Sequence, residues 1–158
     1  MANLSTSKLK ETRDFTNVLD SFQNYASVQT VSSTGAVTVA NDTALFAMTV
    51  DGAMTPTMPA AEVGRHVKAI WVVEQATDNR VFTAAGSDTF AGNIFTSVAG
   101  DSAGDGDVVA IANTTVTITC VDDVNIGSYL DFYCFETGTW FVTGHLVLDA
   151  VGNVPTLA

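Results

Sequence analysis

The sequence predicts an all-β protein: an antiparallel sandwich, jelly roll or barrel with a short N-terminal helix or arm. Two observations carry this. Runs such as Ala36-Val37-Thr38-Val39-Ala40 and Thr115-Val116-Thr117-Ile118-Thr119-Cys120-Val121 alternate in the way half-buried strands do, and they are rich in β-branched residues. Clusters of Gly, Asp and Asn punctuate them, and no long helical period lies between.

The elements follow in chain order. Residues 1–30 read as an N-terminal arm or amphipathic helix, because Phe15, Val18, Leu19, Phe22 and Tyr25 fall at spacings of three and four and so share one helical face. Asp14 stands where a cap would, without the Glu or Gln that completes a capping box. Residues 31–148 form the β-domain. Its strands are expected over Ala36–Ala40, Ala44–Val50, His66–Glu74, Arg80–Thr83, Val108–Ala112, Thr115–Val121, Tyr129–Glu136 and Thr139–Leu148. Turns fall at Asp51-Gly52, Gly64, Asp78-Asn79, Gly86-Ser87-Asp88, Asp122-Asp123 and Thr137-Gly138. The best-defined unit is the hairpin of the last two strands about Thr137-Gly138. Residues 149–158 read as a C-terminal tail, since Gly152-Asn153-Val154-Pro155 breaks the pairing pattern.

A chain of 158 residues with 47% hydrophobic and 15% charged residues can build a core without disulfides. Six basic residues against seventeen acidic ones give a formal charge of −11, and no Lys or Arg follows Arg80. Such a surface repels polyanions and anionic membranes, so neither nucleic acid nor a membrane is an expected partner. No stretch approaches the roughly 20 apolar residues that span a bilayer. The N-terminus lacks the apolar run of a secretory signal, so assembly in a cytoplasm is expected.

Candidate chemistry is sparse. Cys120 and Cys134 each lie in a strand-like run and read first as buried free thiols, with a cross-strand disulfide as the alternative. Zinc would need further ligands, and only His66 and His145 are present, at no recognisable spacing. Asp101-Ser102-Ala103-Gly104-Asp105-Gly106-Asp107 fails as an EF-hand, with Ala103 at the third position and Ala112 at the twelfth, and reads first as a solvated loop, with a loose surface calcium site as the alternative. Asp122-Asp123 reads as a turn, and neither His sits in a catalytic motif. No enzyme activity, cofactor or metal is therefore expected. Trp71, Phe82, Phe90, Phe95, Phe132, Phe135, Trp140 and Phe141 read as core filling for the most part. A sugar-stacking face is the alternative, centred on Tyr129, Tyr133 and Trp140.

Three segments carry a resemblance. Met58-Pro59-Ala60-Ala61-Glu62-Val63-Gly64-Arg65, then Val81-Phe82-Thr83-Ala84-Ala85-Gly86-Ser87-Asp88-Thr89-Phe90-Ala91-Gly92, then Thr137-Gly138-Thr139-Trp140-Phe141-Val142-Thr143-Gly144 are similar to a pattern that recurs in tailed-phage virion proteins. Ala85 and Ser87 depart from the commoner Pro and Gly. The resemblance covers roughly residues 54–144 and implies small β-sandwich or jelly-roll subunits, often trimeric, on a virion surface, with no catalytic residues. The expectation is a capsid decoration (cement) protein: a homotrimer that binds the major capsid protein on the outer shell and stabilises it. Lys8, Lys10 and Arg13, with the apolar face of Phe15, Leu19 and Phe22, are the expected capsid-binding residues. The alternative is a head or tail fibre module that binds a host-surface glycan. In either case the location is the virion, assembled in the host cytoplasm.

Overall fold

A computed structural model describes residues 27–99, 106–150 and 153–158. The predicted N-terminal helix lies outside these residues, except that its last positions belong to a strand. Every regular element described is a strand: β1 (Val28–Val31), β2 (Gly35–Thr38), β3 (Leu45–Met48), β4 (Met54–Thr57), β5 (His66–Trp71), β6 (Arg80–Thr83), β7 (Thr89–Val98), β8 (Val108–Thr115), β9 (Thr117–Cys120), β10 (Tyr129–Glu136), β11 (Thr139–Leu148) and β12 (Thr156–Leu157). They form two sheets packed as a sandwich. Sheet A has seven strands in the order β1-β3-β5-β10-β11-β7-β8, and sheet B has five in the order β12-β9-β6-β4-β2.

The fold class matches the sequence prediction, but the strand pairing is mixed rather than wholly antiparallel. From β1 to β6 the chain crosses between the sheets at every connection. Strands of one sheet are therefore two apart in sequence and run the same way: β1, β3 and β5 are parallel in sheet A, and β2, β4 and β6 in sheet B. This half is a three-turn coil. The second half is a hairpin structure, in which β10 pairs antiparallel with both β5 and β11 and so joins the two halves. β11 then pairs parallel with β7, the remaining parallel contact.

Four strands stand where none was expected: β1, β4, β7 and β12. β7 contains Gly92 and Asn93 mid-strand, which breaks the alternation in the sequence. The glycine is required there: its φ is +133°, and a Cβ would collide with the backbone of Val142 on β11. The predicted tail is also anchored. Pro155 is buried, Thr156 and Leu157 pair with β9, and the Ala158 carbonyl accepts from the N–H groups of Val116 and Thr117.

The core lies between the sheets. Phe82 of sheet B meets Trp71 and Phe132 of sheet A at centroid distances of 6.1 and 5.3 Å, and Phe90 and Trp140 close around Phe132. Each such fully buried apolar side chain stabilises the fold by about 1.5–3 kcal/mol. One cation shares this space. Arg80 is buried on the inner side of β6 over the Trp71 ring, Nη2 donates to the Val50 carbonyl, and Nε and Nη1 have no partner. Desolvation pushes its pKa down to about 10.

One end of the sandwich is tied by hydrogen bonds from three separate segments. The connection from β4 to β5 supplies Pro59, Ala61, Gly64 and Arg65. Trp140 Nε1 donates to the Pro59 carbonyl (3.2 Å) and Gly138 N–H to the Ala61 carbonyl (3.0 Å). Ala61 N–H donates to Asp88 Oδ2 (2.7 Å), while Gly64 N–H donates to the Cys134 carbonyl and Cys134 N–H to the Arg65 carbonyl, both at 2.9 Å.

Three expectations follow for urea-unfolding measurements. Gly92→Ala should cost about 3 kcal/mol or fail to fold, because backbone blocks the new Cβ. Gly64→Ala, at φ +91° with open space around it, should cost only about 1 kcal/mol. Asp88→Ala should cost about 1–2 kcal/mol by leaving the Ala61 N–H without its acceptor.

Candidate functional site

Because side chains alternate along a strand, the register of sheet A fixes which residues share its outer face. One row across the sheet reads Ile70, Tyr129, His145, Phe95 and Val108. The next reads Lys68, Asp131, Thr143, Asn93 and Ala110, and a third reads His66, Tyr133, Phe141 and Ala91. The face is thus aromatic and apolar at both ends with a polar band between. Sheet B presents something different. Its outer face carries the row Thr38, Thr57, Thr83 and Thr117, flanked by Thr55, Thr119 and Thr156. That is an uncharged, hydroxyl-rich surface suited to water.

The polar band of sheet A is centred on Asp131, which is only 7% exposed. Its Oδ1 lies 3.0 Å from His66 Nε2, and its Oδ2 accepts from Lys68 Nζ at 3.2 Å. Aromatic rings roof both partners. The His66 ring stacks on Tyr133 with centroids 4.3 Å apart and planes 1° from parallel, and Lys68 Nζ sits 3.9 Å above the Tyr129 ring. Tyr133 is in turn nearly parallel to Phe135 at 5.8 Å. A bulge after Tyr133 ends regular pairing with β11, and beyond it Phe135 is 70% exposed.

Beside this cluster, an open groove of about 520 Å³ runs between the segment leading into β3 and the start of β5. Asn41, Asp42, Thr43, Arg65, His66 and Lys68 line it. The Arg65 guanidinium is held by Asn41 Oδ1 (3.2 Å), the Ala60 carbonyl (3.0 Å) and Glu62 Oε2 (2.9 Å). Thr43 on the opposite wall is held by Gln29, whose Oε1 accepts from Thr43 Oγ1 and Ala40 N–H and whose amide donates to the Thr38 carbonyl.

The residues singled out from sequence are placed as follows. Lys8, Lys10, Arg13, Phe15, Leu19 and Phe22 lie outside the described residues, as do residues 101–105 of the acidic loop. Asp123 has φ +65° and accepts from Asn153, as a turn residue does. Cys120 and Cys134 are buried free thiols. His145 Nε2 contacts Ser97 Oγ at 2.9 Å. Among the described residues no group of three or more His, Cys, Asp or Glu is placed to hold a metal ion. Tyr129 and Tyr133 face outward as the sugar-stacking alternative requires. Trp140 does not: it points inward from β11, is fully buried, and spends its N–H on Pro59.

The cluster of Asp131, His66 and Lys68 was not visible in sequence, because 63 and 65 positions separate the acid from its partners. The available signal was the alternation of β5 and β10, which puts all three on outward positions once the strands are known to pair. No protein-family model matches the chain, and neither a curated protein nor a solved structure does.

Burial raises both thiols, and pushes Cys120 from its ordinary 9.0 up to about 12. The folded state then keeps a proton that the unfolded chain releases. This contribution to stability is whole below pH 9 and is lost as pH climbs from about 9 towards 12, by at most about 1.4 kcal/mol per pH unit. Arg80 opposes it only above about pH 10, where the folded state sheds a proton that the unfolded chain holds. Unfolding free energy should therefore fall between about pH 9 and 10 in the native chain, and fall less steeply in Cys120→Ala.

Proposed function

We propose that the chain is a structural virion protein, a capsid decoration (cement) subunit that binds the outer surface of the shell and adds burial across its joints. The observation that supports this reading best is the inequality of the two outer faces. Sheet B shows water a lattice of threonine hydroxyls. Sheet A shows Phe95 at 51%, Val108 at 58% and Phe135 at 70% exposure, together with the tyrosines and Phe141. Large apolar side chains grouped on one face of a small domain mark a protein contact. The half of that face on β7 and β8 is the contact we assign to the shell, with Lys8, Lys10, Arg13, Phe15, Leu19 and Phe22 as a second arm. The three segments that resemble phage virion modules support the same reading, since they meet in one hydrogen-bonded end of the sandwich.

A second reading, a fibre module that binds a host-surface glycan, draws on the outward Tyr129 and Tyr133 and on the groove beside them.

Mixing the purified protein with shells that lack it tests the decoration reading. Light scattering should give a trimer, and co-sedimentation should saturate at a fixed ratio. Phe95→Asp and deletion of residues 1–25 should each reduce retention at least tenfold while the Phe95 variant keeps its unfolding midpoint. Shells that retain none of the native protein would sink the proposal.

A further inference from the structure

We infer that the groove between Asn41–Thr43 and Arg65–Lys68 is a binding site for a neutral saccharide. This rests on the glycan reading and deepens it by locating the site and naming the class of sugar.

Size and preorganisation come first. A groove of about 520 Å³ falls within the usual range of small-ligand sites, roughly 300–1,000 Å³. Its walls are built before any ligand arrives. Arg65 is held at three acceptors, and the turn carrying Asn41–Thr43 is held by Thr43, whose Oγ1 donates to Gln29 and whose N–H donates to the Ala40 carbonyl. Little ordering cost is left for binding to meet.

The lining chemistry selects the ligand. A carboxamide, a carboxylate, a hydroxyl, a guanidinium, an imidazole and an ammonium line one space, so it offers both donors and acceptors. A sugar hydroxyl both donates and accepts, and a vicinal pair matches such a wall. The charges exclude the acidic sugars. Arg65 is paired with Glu62 and Lys68 with Asp131, which leaves Asp42 unbalanced on a chain of charge −11. A carboxylated or sulfated sugar would meet net repulsion.

The aromatic rings extend the site. His66 lines the groove and is the first ring of a parallel series that continues through Tyr133 to the exposed Phe135. The apolar C–H face of a pyranose packs on such rings. A longer glycan held at its end in the groove would lie along this series. The half of the face assigned to the shell lies on the far side of β10 and β11, so the groove stays open in a decorated particle.

The test uses the full chain on an array of neutral and acidic glycans, followed by calorimetric titration with the best neutral ligand. Asn41→Ala combined with Asp42→Ala, both on an exposed turn, should weaken binding at least tenfold at an unchanged unfolding midpoint. Phe135→Ala should weaken longer glycans and spare the monosaccharide, and Thr55→Ala on sheet B should change neither. Retention of acidic glycans alone, or neutral binding that the groove variant leaves intact, would overturn this site while keeping the glycan reading. An array on which the native protein retains nothing overturns both.

Discussion

The structure depends on the tie at the end of the sandwich where Pro59 to Arg65 passes over the core. Three connections that are far apart in sequence meet there: the crossover from β4 to β5, the turn before β7 and the β10–β11 hairpin. Each backbone group they satisfy is one that burial would otherwise leave unpaired, and a buried orphan costs about 1–3 kcal/mol. Trp140 shows how the tie couples to packing. Its ring fills the core against Phe132 while its N–H holds Pro59, so the side chain that closes the hairpin also fixes the crossover. A structural duty accounts for residues such as Trp140, Asp88 and Gly138.

From that tie the two halves of the fold acquire a common frame. The coil of β1 to β6 and the hairpin region around β10 and β11 use opposite pairing logic, parallel in one and mostly antiparallel in the other. They share two seams, β5 against β10 in sheet A and β6 against β9 in sheet B. The first sets the polar cluster on the outer face of sheet A. His66 and Lys68 arrive on the last coil strand of sheet A and Asp131, Tyr129 and Tyr133 on the first hairpin strand, so the polar cluster exists only because the halves meet in this register. A slip of one residue would turn Asp131 into the core and Phe132 out to water, and the packing of Phe132 against Phe82, Phe90 and Trp140 forbids it.

Much of the fold was legible in the sequence because burial writes itself as alternation. Tyr129–Glu136, Thr139–Leu148 and Arg80–Thr83 were found with their bounds intact, and Thr137-Gly138 marked the hairpin. Pairing direction was not legible, since β-branched alternation looks the same in parallel and antiparallel strands. β7 was hidden by Gly92, a residue that argues against a strand locally and is demanded by β11 from 50 positions away. Thr156-Leu157 was hidden by brevity. The candidate site was the least legible part. Trp140 looked suited to a sugar platform by type, yet its position in the alternation of β11 sends it inward. Asn41, Arg65 and Asp131 carried no motif and became a site only through register.

The placement of Asp131 argues that this face does more than cover the core. A carboxylate at 7% exposure amid aromatic rings is costly unless its charge is met, and β-branched or aromatic residues would fill an outward strand position more cheaply. Here Lys68 meets the charge and His66 hydrogen-bonds the other carboxylate oxygen, and each of those is pressed against a tyrosine ring. The arrangement gives up conformational freedom in two flexible side chains to hold them in fixed positions at the groove. Surface ion pairs contribute only about 0–1 kcal/mol to stability, so folding alone is a weak reason for such an arrangement. Fixed donors beside a preformed groove are what the saccharide site we propose would require.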